Sequence, residues 1–120
     1  MAMFSPQLLN HFQQPRNVGE VDQASAVAEV ENPVCGDVLR LTLKIEADRI
    51  VAARFRAQGC VASIACASLL TELITGKQAQ EAAELRASDL ADALGGVPEG
   101  SGHAAELAID ALKMALDKSR

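Results

Sequence analysis

The residue periodicities predict an α+β fold, with strands in the first half of the chain and most of the helix after them. Three observations carry that reading. VLRLTLKI at 38–45 and IVAARFRAQ at 50–58 alternate polar and apolar residues, the period of half-buried strands. Residues 60–76 and 103–118 instead have helical length and spacing. The hydrophobic fraction of 49% comes heavily from alanine, with Phe4, Phe12 and Phe55 as the aromatics, which suits helices packed closely on small side chains. At 120 residues the chain has the length of one domain, and residues 1–120 are expected to form it.

The elements follow in order. Ser5 as N-cap, Pro6 at the first helical position and Leu8, Leu9 and Phe12 on one face predict a short helix over 5–13, ended by PRNVG at 15–19. Residues 24–30 make a modest strand candidate. The stretch 38–45 makes a better one, with Leu39, Leu41, Leu43 and Ile45 buried and Arg40, Thr42 and Lys44 wet. EADR at 46–49 supplies a turn, after which Val51, Ala53, Phe55 and Ala57 are expected to face away from Arg54 and Arg56, closing an antiparallel hairpin. Gly59 breaks the alternation, Cys60 opens a buried helix of about four turns, and Gly76 ends it. One or two short helices are expected over 77–94, with Ser88 capping DLADAL, then a loop at 95–102. The last helix carries Leu107, Ala111 and Ala115 on one stripe, with Ile109, Leu112 and Leu116 beside it.

Composition excludes some classes of function. A net charge of -5 without a Lys/Arg cluster argues against a nucleic-acid partner and favours partners with basic patches. No apolar run approaches the roughly 20 residues that cross a bilayer. The opening MAMFSPQLLNHF lacks the apolar core of a signal peptide, so no membrane association and a cytoplasmic location are expected. In that reducing compartment three cysteines point to ligands, reactive thiols or core residues, not to a disulfide framework.

Four residues stand out chemically. Cys35 lies on a turn beside Gly36, whose bare backbone leaves amides uncovered that can steady a thiolate or a sulfide, and Asp37 can reach the same metal. Cys60 sits at a helix N-terminus, where the macrodipole favours the thiolate. The alternative for either cysteine is a small buried residue, and their separation in sequence has no intrinsic metal geometry. Cys66, six residues after Cys60, is turned about 240° round the helix and is expected in the core. His103 opens the last helix, by position alone a solvent-facing residue, and His11 is expected on the surface.

Together these residues resemble the IscU/NifU-N family of iron–sulfur cluster assembly scaffolds. The resemblance runs from SPQLLNHFQQPRNVG through NPVCGD and the strand pair to GCVASIACASLLTELITGK and the final ELAIDALKMAL. It implies three antiparallel strands packed on helices, with a metal site at one exposed end. It also implies a protein without turnover chemistry that takes sulfur from a cysteine desulfurase, builds a [2Fe–2S] cluster with iron from a donor, and passes it to apo-protein acceptors. By motif, Cys35 and Asp37 match the family's CGD element and Cys60 its GC element. His103 falls on the family histidine, and Ala104 stands where the family has its third cysteine. VPEGS at 97–101 departs from the family's Leu-Pro-Pro-Val-Lys segment, so the Hsp70-type chaperone is not carried over as a partner.

The site implied for this chain is therefore Cys35, Asp37, Cys60 and His103, holding iron, a labile [2Fe–2S] cluster or zinc. With no thiol at position 104, Cys35 or Cys60 is left to accept persulfide sulfur, Cys35 being the more accessible on its turn. Two other functions fit the same residues: a zinc-binding sulfur acceptor that activates a desulfurase, and a degenerate regulator that docks a desulfurase without assembling clusters.

Overall fold

The computed structural model describes residues 4–32, 36–98 and 101–119. Its elements are α1 (Pro6–Gln13), β1 (Ala26–Asn32), β2 (Asp37–Glu46), β3 (Arg49–Gln58), α2 (Val61–Ile74), α3 (Ala79–Ala82), α4 (Ala87–Ala93) and α5 (Gly102–Lys118). The strands form one antiparallel sheet in the order β1-β2-β3. α5 packs against β1 and β2, and α2 packs against β3, α1 and α5, so the helices cover one face. The expected α+β architecture is the observed one. Among the described residues no helix is long and apolar enough to cross a membrane.

The core lies between that face and the helices. Leu39, Leu41 and Leu43 point inward from β2 and are nearly or fully buried, as their alternation predicts, and each such side chain contributes about 1.5–3 kcal/mol of transfer free energy. Opposite them α2 supplies Ala62, Ala65 and Cys66, and α5 supplies Ala104, Ala105, Ala108, Ala111 and Ala115, all buried.

The β2–β3 turn is a tight one at Ala47 and Asp48, with φ of 50° and 62°. Positive φ at both central residues matches the right-handed twist of the strands. The register then shifts: Lys44 pairs with Ala52 but Ile45 with Ile50, leaving Val51 as the extra residue of a bulge. The expected alternation through Val51 is corrected accordingly. Ile50 is fully buried and Val51 is exposed, because the inserted residue inverts the parity of the strand start.

A second correction concerns the outer face of the sheet, which is not uniformly wet. The Phe55 N–H donates to the Asn17 carbonyl (2.9 Å) and the Gly19 N–H to the Phe55 carbonyl (2.8 Å), so the chain after α1 runs along the β3 edge. It then crosses the sheet, where the Val21 N–H donates to Thr42 Oγ1 at 2.9 Å and Thr42 is buried. Glu20 meets Arg40 at 2.9 Å and Arg56 at 3.4 Å on the same face.

His11 is buried, not on the surface. Its Nδ1 lies 2.8 Å from Ser68 Oγ and its Nε2 3.4 Å from Glu72 on α2, which fastens α1 to that helix. The start of α4 also differs from expectation. Arg86 is the N-cap and its N–H donates to Asp89 Oδ2 at 2.8 Å, so Asp89, not Ser88, caps the helix through a side chain.

Candidate metal centre

Antiparallel pairing places the start of β2 beside the end of β3, where Val38 pairs with Gln58. Asp37 opens β2, Cys60 follows β3 as the N-cap of α2, and His103 lies in the first turn of α5. Three segments far apart in sequence thus meet at one end of the sheet. A carboxylate oxygen of Asp37, Sγ of Cys60 and a ring nitrogen of His103 lie within 4.8 Å of one another. These are three of the four residues expected from the sequence. Cys35, the fourth, lies outside the described residues.

Asp37 is the hub and is only 2% exposed. Its Oδ1 accepts from the Cys60 N–H at 3.2 Å. Its Oδ2 accepts from Ser63 Oγ at 2.6 Å, lies 3.2 Å from His103 Nε2 and 3.7 Å from Cys60 Sγ. Burial pushes the carboxyl pKa up, but donors from Ser63, His103 and Cys60 outweigh it and hold the group below its ordinary value of 3.8. The charge is therefore in place before a cation arrives. Cys60 is exposed and His103 half-buried, so both face the approach from solvent.

Two glycines explain the local backbone. Gly59 has φ of +153°, and a Cβ built there would stand 2.3 Å from Asp37 Oδ1 and 2.7 Å from its Cγ. Glycine before Cys60 is what lets the carboxylate reach the start of α2. Gly36 has φ of +75° and its N–H donates to the Asn32 carbonyl at 2.7 Å, closing the turn into β2. The Gly36 amide is therefore already bonded within the chain, while the rest of the turn that carries Cys35 lies outside the described residues.

Cys66 is fully buried, and burial, with Cys60 nearby, pushes its thiol pKa up to about 12. It belongs to the core, as its helical position predicts. Ala104 is 1% exposed beside His103, so the position without a thiol faces the packed interior. Ser63 was not singled out from the sequence. Its signal is the spacing Cys60-x-x-Ser63 at a helix start, which brings both side chains to one side of the first turn.

The donors fit a metal ion. A thiolate, a carboxylate and an imidazole suit zinc or iron of mixed hardness, and histidine is an accepted ligand of [2Fe–2S] iron. Among the described residues the three donor atoms stand together at the surface end of the sheet, where they can hold a cation.

Comparison with known proteins converges on one family. The family model described as NifU-like N terminal domain matches residues 3–120. The chain is 42% identical over 114 residues to an iron-sulfur cluster assembly scaffold protein IscU 1 from Archaeoglobus fulgidus, covering 95% of this chain and 74% of the relative. It is 38% identical over 115 residues to the scaffold protein IscU of Aquifex aeolicus, covering 94% and 73%. The crystal structure of a nitrogen-fixing NifU-like protein (N-terminal) from Brucella abortus shares the fold, with a TM-score of 0.77 at 18% identity over 95% of this chain and 92% of that one.

Proposed function

The chain belongs to the NifU-like N-terminal domain family, and from that premise we propose that residues 1–120 form one iron–sulfur cluster assembly scaffold domain. The observation that carries this reading is the meeting of Asp37, Cys60 and His103 at the exposed end of the sheet. Cys35, next to Gly36 in sequence, would add a second thiolate. Iron and sulfide are cargo here: the cluster is built on these side chains and then leaves, so the protein carries out no turnover chemistry of its own.

In this reading a cysteine desulfurase supplies the sulfur. The thiolate of Cys35 or Cys60 attacks the outer sulfur of the donor's persulfide, a new S–S bond forms on the scaffold, and the donor departs as a thiolate, with no net oxidation. An iron donor and apo-protein acceptors complete the partners, and the reducing cytoplasm is where such thiols stay free. Two thiolates with one imidazole and one carboxylate hold iron less softly than a full thiolate set, which favours release.

Anaerobic reconstitution with iron and sulfide tests the proposal. Charge-transfer bands with about two iron per chain, lost in Cys60→Ser, are expected. Absence of both iron and bands in wild type and in Ala104→Cys overturns it. A second reading, a zinc-binding sulfur acceptor that activates a desulfurase, is favoured by the nitrogen and oxygen donors of His103 and Asp37. It predicts stoichiometric zinc and no cluster. A chain that binds neither would act as a non-assembling regulator.

A further inference from the structure

We infer that Ser63 is a positioning residue that aims Asp37 at the metal. The inference rests on the scaffold reading and gives a role to a side chain which that reading leaves unused. Ser63 sits in the first turn of α2 and is 5% exposed. Its hydroxyl carries one proton, and the short 2.6 Å contact to the charged Asp37 Oδ2 claims it in preference to Cys60 Sγ at 3.2 Å. The Cys60 N–H holds the other carboxylate oxygen. Two donors from one helical turn, each on a different oxygen, fix both the position and the plane of the carboxylate.

That hold leaves a direction open. A carboxylate oxygen offers about two lone-pair directions. With Ser63 on Oδ2 from the buried side, what remains is shared with His103 Nε2 at 3.2 Å and Cys60 Sγ at 3.7 Å, both on residues nearer the solvent. A cation reaching all three donors arrives from that side, and Ser63 keeps its bond while His103 and Cys60 turn to the metal. Without the hydroxyl, Oδ1 stays on the Cys60 N–H, but Oδ2 is left with only His103 and Cys60, the two groups that must turn away from it to reach a metal. Partners that orient a metal-binding side chain are worth about 10- to 100-fold in affinity.

The test uses the full chain and Zn²⁺ alone, with affinity read by competition against a chromophoric chelator. Ser63→Ala is expected to weaken Zn²⁺ binding about tenfold or more. In an Asp37→Ala background the same change is expected to do nothing further, since Ser63 acts through Asp37. Ser63→Thr, which keeps the hydroxyl, is expected to bind like wild type. Ser63→Ala binding as tightly as wild type overturns the role, and so does an equal loss in both backgrounds, which marks a general effect on α2. A wild-type chain that takes up no Zn²⁺ or iron overturns the scaffold reading and this inference with it.

Discussion

Gly59→Ala puts a methyl group where the Asp37 carboxylate now lies. The new Cβ would be 2.3 Å from Oδ1, 2.7 Å from Cγ and 3.0 Å from Cβ of Asp37, so the strand start itself must yield, not only the side chain tip. The φ of +153° adds backbone strain of about 1–3 kcal/mol for a residue with a side chain. Displacing the carboxylate from the Cys60 N–H removes a charged hydrogen bond worth about 1.5–3 kcal/mol. Together these give a loss of about 2.5–6 kcal/mol, a large part of the stability of a domain this size. In urea the midpoint is expected to fall by about 2 M. Repeating the substitution in an Asp37→Gly background separates the two causes, because only the backbone strain then remains and the cost is expected to drop to about 1–3 kcal/mol. A Gly59→Ala protein that unfolds at the wild-type midpoint would refute the clash and the argument for glycine before Cys60.

Other consequences can be measured separately. Ala47 holds φ of 50° at the β2–β3 turn, so Ala47→Gly is expected to stabilise by about 0.5–1 kcal/mol in the same urea assay, and a loss of stability counts against the turn geometry. Burial, then Arg16, lowers the His11 pKa below 6.5 against a smaller opposing effect of Glu72. The unfolded chain thus binds the extra proton first, stability is full above pH 6.5 and is lost as pH falls below it, and His11→Gln is expected to flatten the melting temperature between pH 7.5 and 5.5. Native alkylation followed by mass spectrometry is expected to modify exposed Cys60 and to spare Cys66, whose thiol reacts only once the chain unfolds.

The central architecture was legible because its signals are local and repeated. Leu39, Leu41 and Leu43 declare a buried strand face by themselves, and the long apolar run after Cys60 ends at a glycine that has φ of +91°. Asp37, Cys60 and His103 were legible from their motifs, although their convergence depends on strand pairing that no single segment encodes. What escaped notice depends on distant partners. A histidine on a short polar helix reads as wet until Ser68 and Glu72 are brought to it from α2. Thr42 sits at a position that alternation marks as wet, and it is buried under a crossing segment whose course no local pattern in the sequence announces. Val51 shows the limit of period-two reasoning, since one inserted residue exchanges inside for outside without altering composition.

The alanines shared by α2 and α5 have a mechanical consequence. Alanine has no rotamers, so packing them costs almost no side-chain entropy, and for the same reason they cannot absorb a displacement by turning aside. A shift of one helix against the other is a rigid slide. Cys60 rides at the start of α2 and His103 at the start of α5, so such a slide translates directly into the span between thiol and imidazole. A bulkier residue where the two helices meet is therefore expected to change the distance between the Cys60 thiol and the His103 ring.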